Sequence, residues 1–397
     1  MSRARQEHPS SYDVWMKQTE RACLVIADIS GYTTYLTGVE LDHAQDVLAD
    51  LLNAVVTPLR PGFQLAKLEG DAVFLYSPTE EIDGSVLLDR IDACYFDFRR
   101  RLLSITQATT CECNACLRIP ELDLKLVVHH GSIIRHEVLG REELVGTDVI
   151  IVHRLLKNEI IPRLGISAYA WLTDACLAAT ALDAARLGMA RHEEVYPDVG
   201  LMAGWVHDLH RAWELESKLS PVYVGPKDAL ATLEGVIADV PGSRVWEWLT
   251  TPALRLLWEI GFDDIVEFLP PGGRRSPGAQ SHCAHGDDVI MNEVLDWRPP
   301  HYVTNSGRFP DGTPYIVTDE VVEVEGGVIV RKNVKPFSEE TRPQLEQTLA
   351  AMGSAMEQWI PTLTRLVTEE HLSRQPANEP DLPTPDEAGR LSTAVHS

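Results

Sequence analysis

The sequence predicts an α+β protein built from two unlike domains. Its 397 residues are too many for one ordinary hydrophobic core. The first half sets short apolar runs and amphipathic stretches in the order strand–helix–strand–strand–helix–strand. The second half runs from a strand through a tryptophan-bearing helix and several β-rich segments to a long final helix. With 44% apolar residues, the composition is that of a globular protein.

Residues 1–20 are polar and predict a flexible lead-in. Residues 22–29 contain the continuous apolar run Cys23-Leu24-Val25-Ile26-Ala27 and predict a buried strand, turned at Ser30-Gly31. Over 41–57, Leu41, Ala44, Val47, Leu48, Leu51, Leu52, Val55 and Val56 follow the spacing of an amphipathic helix, closed by Pro58 and Pro61. Residues 64–68 and 72–76 predict two strands joined by Glu69-Gly70-Asp71, a hairpin signal. A helix is expected over 83–107, strands over 122–129 and 138–139, and further helices over 149–157 and 168–185. This order is the ferredoxin-like pattern, with helices on one face of an antiparallel sheet.

The polar stretch 214–226 predicts the connection to the second unit. There, 230–239 reads as a strand, and Pro241-Gly242-Ser243 leads into a helix carrying Trp246 and Trp248, with Trp258 beyond. Segments between 265 and 333 read as strands separated by Pro and Gly. A final helix of about 25 residues carries Leu345, Leu349, Met352, Met356, Trp359, Leu363 and Leu366 as one buried stripe. The Pro-, Glu- and Asp-rich end, 373–397, predicts disorder. The expected domains are 21–213 and 228–372, with a linker at 214–227.

The formal charge of −24 disfavours binding to DNA or RNA, whose phosphates it repels. It leaves room for a nucleotide held with a divalent cation, which brings its own positive charge. No stretch reaches the roughly 18 apolar residues of a membrane span. The start, Met1 to His8, has no apolar core and is not a secretion signal. A cytoplasmic location follows as the expectation, with the seven cysteines as thiols or metal ligands rather than disulfides.

The motif carrying the most chemistry is Ala27-Asp28-Ile29-Ser30-Gly31-Tyr32-Thr33. A carboxylate ends a buried strand, a glycine turn follows, and backbone N–H groups at that turn can receive phosphate oxygens. Asp28 can hold a hard cation through oxygen. A second carboxylate, Asp71, lies in the hairpin Lys67-Leu68-Glu69-Gly70-Asp71-Ala72. In a ferredoxin-like sheet the two converge, as a two-metal phosphoryl site requires.

These two segments closely resemble the metal motifs of class III adenylate/guanylate cyclases. The likeness covers roughly residues 20–210 and continues at Gly146-Thr147-Asp148-Val149-Ile150-Ile151-Val152-His153-Arg154-Leu155. The resemblance implies that Asp28 and Asp71 bind two Mg²⁺ or Mn²⁺ ions, with the Ile29 carbonyl as a further ligand. Gly31, Tyr32 and Thr33 would lie at the nucleotide. Lys67 and Glu143 match the base-selecting positions, which favours ATP. Arg154 matches the arginine that stabilises charge on the α-phosphate. The implied reaction is that of a phosphorus–oxygen lyase: the 3′-hydroxyl attacks the α-phosphate, pyrophosphate leaves, and a 3′,5′-cyclic nucleotide forms. The family pairs its sites across a homodimer, one copy supplying the metals and the other the base-selecting pair and the arginine. Three positions depart from the pattern. Ile150 stands where the family has an asparagine that orients the ribose, and Thr147 and Val152 also differ. No lysine for the terminal phosphates is found near 190–205, where Arg191 is the candidate.

Cys111-Glu112-Cys113-Asn114-Ala115-Cys116 places three thiols within six residues. They suit a structural zinc with Cys94, His129 or His130 as fourth ligand, or free thiols on a loop. A bacterial uncharacterised cyclase-like family carries a similar cluster, and this chain resembles its members. His129-His130-Gly131 reads as packing and a turn, and His153 as a surface or interface residue.

The second half resembles START-like (polyketide cyclase/SRPBCC) domains. The likeness rests on its element order, on His282-Cys283-Ala284-His285-Gly286, and on Glu293-Val294-Leu295-Asp296-Trp297-Arg298-Pro299-Pro300. It implies a helix-grip fold with an apolar cavity for an unidentified small molecule. His282 and His285, three apart on a strand, point to opposite faces and form no metal pair. Three functions stay open: a homodimeric cyclase with a START-like sensor, a degenerate cyclase fold that binds nucleotide or ligand without turnover, and hydrophobic-ligand transport by the second half.

Overall fold

The computed structural model describes residues 19–36, 41–60, 62–108, 118–138, 140–259, 261, 263–285 and 288–374. The chain opens with β1 (Glu20–Ser30), the one-turn α1 (Tyr32–Leu36) and α2 (Leu41–Leu59). The hairpin β2 (Gln64–Glu69) and β3 (Ala72–Pro78) leads to α3 (Gly84–Ala108) and then to β4 (Asp123–Val138) and β5 (Arg141–Val145). Next come α4 (Thr147–Leu155), α5 (Ile160–Leu164), β6 (Tyr169–Thr173), α6 (Asp174–Ala178), β7 (Ala190–Tyr196), β8 (Gly200–Asp208) and α7 (Leu209–Lys218). The strands form one sheet in the order β2-β3-β1-β4-β6-β8-β7, with β5 paired to the far end of β4. Only the β4–β6 pair is parallel among the described strands.

β1 sits between β3 and β4 and is apolar and buried from Ala22 to Ala27 and again at Ile29, so both its faces need cover. Val25, Ala27 and Ile29 join Leu51 and Val55 of α2 and Leu88, Ile91 and Tyr95 of α3. Leu24 and Ile26 turn the other way, onto Val152 and Leu155 of α4 and Ile160 of α5. Helices therefore cover both faces of the sheet, not one as expected.

Other elements differ from the sequence reading. Residues 168–185 are not one helix. Tyr-Ala-Trp-Leu-Thr forms β6, buried throughout and paired in the sheet interior, and the short α6 follows. A fully buried strand and a buried helix both read as apolar runs, and period alone does not separate them. The strands expected at 122–129 and from 138 fall on one continuous β4, Asp123–Val138; residue 139 lies outside the described residues. Pro58 lies inside α2 rather than closing it. The expected linker begins as helix, since α7 runs to Lys218, and the extended stretch after it is pinned: the Val222 N–H donates to Asp296 Oδ2 at 2.8 Å and the Val224 N–H to Thr318 Oγ1 at 3.0 Å.

The C-terminal half contains β9 (Ala231–Ala238), α8 (Gly242–Thr250), α9 (Pro252–Arg255), β10 (Asp264–Phe268), β11 (Gln280–His285), β12 (Asp288–Arg298), β13 (Tyr302–Arg308), β14 (Pro314–Val324) and β15 (Gly327–Pro336). These strands form an antiparallel sheet ordered β10-β11-β12-β13-β14-β15-β9. The final helix is two, α10 (Arg342–Met356) and α11 (Trp359–Arg374). Met356, Trp359, Ile360, Leu363 and Val367 pack against Trp246 and Trp248 of α8 and against Ile237, Val328 and Val330 of the sheet. The space beside α11, expected to be apolar, is lined in part by Arg255, Glu259, Asp319 and Lys332.

The halves meet through buried charge. The Arg274 guanidinium lies 2.8 Å from both Asp89 Oδ1 and Asp92 Oδ2 of α3. Arg275 spans Asp83 at 2.9 Å and Glu267 at 2.8 Å, and the Trp297 indole N–H donates to Asp89 Oδ2 at 3.1 Å.

Candidate metal and nucleotide site

Asp28 is half-buried near the end of β1, between the buried Ala27 and Ile29, and its cross-strand partner on β3 is Ala72, the residue after Asp71. The Ile29 N–H donates to the Asp71 carbonyl at 3.1 Å, which ties the hairpin to the strand end. The two carboxylates are close enough for the charge of Asp28 to act on Asp71. Partial burial, and then that neighbouring negative charge, raise the Asp71 carboxyl above its ordinary range.

A third group completes the cluster, and the sequence reading missed it. Lys125 of β4 lies directly opposite Asp28, with its Nζ 2.9 Å from Asp28 Oδ2. Its charge also pulls the Asp71 carboxyl downward, against burial and Asp28. Tyr169 of β6 is the next residue in the same row, and its hydroxyl donates to Asn158 Oδ1 at 2.9 Å. The signal for Lys125 was available: it is the one charge within the apolar run Leu124 to Val128.

The turn after Asp28 is built as expected. Gly31 has φ +87°, in the left-handed region that favours glycine. The Tyr35 N–H closes α1 onto the Gly31 carbonyl at 2.9 Å. Tyr32 is buried, and burial together with Asp71 raises its hydroxyl pKa; Thr33 is exposed.

The remaining predicted residues lie elsewhere. Lys67 follows a bulge in β2 and is exposed on the sheet face that carries Phe74. Glu143 of β5 is also exposed; its neighbour Glu142 turns to the sheet and accepts from the Tyr76 hydroxyl at 2.6 Å. On α4, Val152 and Leu155 are buried against the sheet, while Ile150 (58% exposed) and Arg154 share the outer side. The Arg154 guanidinium reaches the Pro197 carbonyl at 3.5 Å, and Arg154 shares no described contact with Asp28 or Asp71. Val149, Ile150, His153, Arg154, Lys157, Tyr196 and Pro197 line an open hollow of about 670 Å³. His153 is not a free surface residue: it faces Glu69 at 3.2 Å and packs edge-on against Phe74. Arg191, the candidate for the terminal phosphates, is held by Asp174 and Glu193.

The oxygen donors of Asp28 and Asp71 suit a divalent cation, and their mutual repulsion favours one. Such an ion would have to share Asp28 with Lys125 or displace the ammonium. Among the described residues no group of three or more His, Cys, Asp or Glu side chains forms a metal cluster. Cys111, Cys113 and Cys116 lie outside the described residues. Their suggested fourth ligands are engaged otherwise. Cys94 is fully buried, and burial pushes its thiol pKa well up. His129 is bound to Thr173 Oγ1 at 2.9 Å and Asp148 Oδ1 at 3.1 Å, and His130 to Arg21 and the Thr79 carbonyl.

Nucleotide cyclase domains are among the solved structures this chain resembles. The guanylyl cyclase Cya2 aligns at 15% identity and a TM-score of 0.37, over 48% of this chain and 92% of that one. The adenylyl cyclase CyaB from P. aeruginosa aligns at 14% identity and a TM-score of 0.35, over 53% and 100%. A family model described as a protein of unknown function (DUF2652) matches residues 48–163, a stretch that contains Asp71, Lys125 and Arg154. The uncharacterized protein Rv2561/Rv2562 of Mycobacterium tuberculosis is 39% identical over 128 residues, which is 32% of this chain. The match spans 57% of that protein's length.

Proposed function

We propose that residues 21–213 are a class III cyclase-like domain that holds a nucleoside triphosphate with a divalent cation at Asp28 and Asp71. Two copies of the chain together would form a 3′,5′-cyclic nucleotide. Residues 228–372 would be a START-like, helix-grip domain that senses a small molecule. The observation that supports the reading is the Asp28–Lys125 ion pair beside the Gly31 turn, with the hairpin residue Asp71 tied through its backbone carbonyl to the neighbouring Ile29 N–H. Mg²⁺ or Mn²⁺, when bound, would neutralise phosphate charge and acidify the attacking hydroxyl. Lys125 is the cation positioned to turn from Asp28 to the phosphates, the role for which no residue was found near 190–205. Arg154 and the exposed Lys67 and Glu143 point outward, as residues serving a second copy must.

Ile150 favours a second reading, in which the domain binds nucleotide without turnover. It places a bare aliphatic side chain beside Arg154, where an amide would orient the ribose, and losing a positioning group slows catalysis by orders of magnitude. Purified full-length protein with Mn²⁺ and each nucleoside triphosphate, assayed for cyclic product, separates the two. Product that disappears in Asp28→Ala supports the cyclase. Metal-dependent nucleotide binding without product supports the second reading. Absence of nucleotide binding refutes both.

A further inference from the structure

The C-terminal half encloses charge where its fold was expected to enclose hydrocarbon. A cavity of about 60 Å³ lies between the sheet and the α10–α11 junction. Four of its lining residues are ionic. Arg255 and Glu259 pair at 2.7 Å, Lys332 and Asp319 pair at 2.7 Å, and Lys332 lies 3.8 Å from Glu259. Two cations and two anions sum to zero, and each already has its counter-ion. Asn292 and Asn305 add uncharged donors and acceptors. The Lys332 ammonium also sits 5.5 Å from the Trp359 ring centroid. At roughly 30 Å³ per water, the space holds two waters or one small head group.

A groove adjoins the cavity. Asn292 and Phe309 line both it and an open groove of about 850 Å³. Phe309, Phe337 and Met291 give part of the groove an apolar wall, beside the polar Gln280, Glu293, Arg308 and Gln344, and Phe337 and Met291 are more than half exposed. A polar chamber beside a groove with an apolar stretch of wall matches one kind of molecule.

We propose that this site binds an amphiphilic small molecule whose uncharged polar head, such as a carboxamide or hydroxylated group, enters the chamber while its apolar body lies along the groove. A charged head is disfavoured. It would enter a desolvated space whose charges are already paired, and it would be left without a counter-ion. A purely apolar head would displace water from four ions and return no hydrogen bond. The inference rests on the ligand-holding reading of residues 228–372 and supplies the ligand class. It is independent of the nucleotide site.

Calorimetric titration of the full-length protein with naphthamide, naphthoate and naphthylmethylammonium tests it, since the three share a body and differ in head charge. The expected result is saturable binding of naphthamide at least about tenfold tighter than either ion. Glu259→Gln leaves the chamber net positive and should transfer the preference to naphthoate. Lys332→Met leaves it net negative and should transfer the preference to the ammonium. Equal affinity for the three heads, or a preference that neither variant moves, overturns the head-group assignment alone. No saturable binding of any probe overturns the ligand-holding reading with it.

Discussion

Lys125 and Asp28 face each other across the β1–β4 pair, with the ammonium 2.9 Å from Oδ2. This ion pair occupies the carboxylate that a metal would need. Removing the ammonium should therefore separate metal affinity from nucleotide affinity. In Lys125→Met, Mn²⁺ alone should bind about tenfold tighter, because Asp28 and Asp71 lose their internal counter-charge. Mn²⁺–nucleotide should bind more weakly, because the phosphates lose a cation. Electron paramagnetic titration of free Mn²⁺ reads the first effect and equilibrium dialysis of nucleotide the second. Unchanged values in both would remove Lys125 from the site.

Asp71 makes the site sensitive to acid. Burial and then Asp28 raise its carboxyl pKa above the ordinary 3.8, so a proton competes with metal at a higher pH than at an exposed aspartate. Mn²⁺ affinity should therefore begin to fall at a higher pH, on acidification, than it does at an exposed aspartate. The stability sign is the reverse. A carboxyl whose folded pKa is raised disfavours the fold above that pKa, and the penalty lifts as pH falls through it. Asp71→Asn should thus abolish metal binding while raising the melting temperature of the metal-free protein at neutral pH. A lowered melting temperature would show that Asp71 is a structural partner instead.

Gly131 controls where α4 sits. A Cβ there would lie 2.3 Å from Asp148 Cγ. Asp148 binds His129 and the Ser132 N–H at 2.6 Å, and so ties the start of α4 to β4. Gly131→Ala should cost about 1–3 kcal/mol in thermal or denaturant unfolding, as overpacking does. It should also displace Arg154, which rides on the same helix. Gly353→Ala is the control: an added Cβ meets nothing within 4 Å in α10, and the change should be neutral or stabilising by up to about 1 kcal/mol. Equal tolerance of both substitutions would contradict the packing described.

The junction of the halves depends on Arg274. Burial raises the Asp92 carboxyl, but Arg274 and then His207 outweigh it and leave a pKa of about 2. Arg274→Ala leaves buried Asp89 with only the Trp297 indole and Asp92 with only His207 among their described partners, and should destabilise the protein by about 3–5 kcal/mol. Adding Asp89→Asn and Asp92→Asn should recover much of that loss, which denaturant titration can measure. Because the Asp92 pKa is depressed, its contribution is complete above the ordinary carboxylate range and is lost as pH falls toward about 2. No recovery in the triple variant would mean that Arg274 acts through packing alone.

Much of the N-terminal half was legible because its patterns are local. The apolar run of β1, the hairpin at Gly70-Asp71, and the three-and-four spacing of α2 state their own conformations. β6 was misread because a strand buried on both faces has no alternation to show. β7 was unread because Ala-Arg-His-Glu-Glu-Val-Tyr lies at the sheet edge and is largely polar. In the candidate site, Asp28 and Asp71 were found through their motifs. Lys125 was passed over because its meaning depends on the residue opposite it in another strand.

Sequence alone determined which segments are apolar, where the chain turns, and which residue types are available for metal and phosphate. It did so because side-chain periodicity is written within each element. Tertiary structure alone decided that Lys125 faces Asp28, that Arg274 closes on Asp89 and Asp92 some 185 residues away, and that a charged chamber lies beneath α11. Strand register and domain docking create those pairings, and neither leaves a trace in the spacing of residues along one segment.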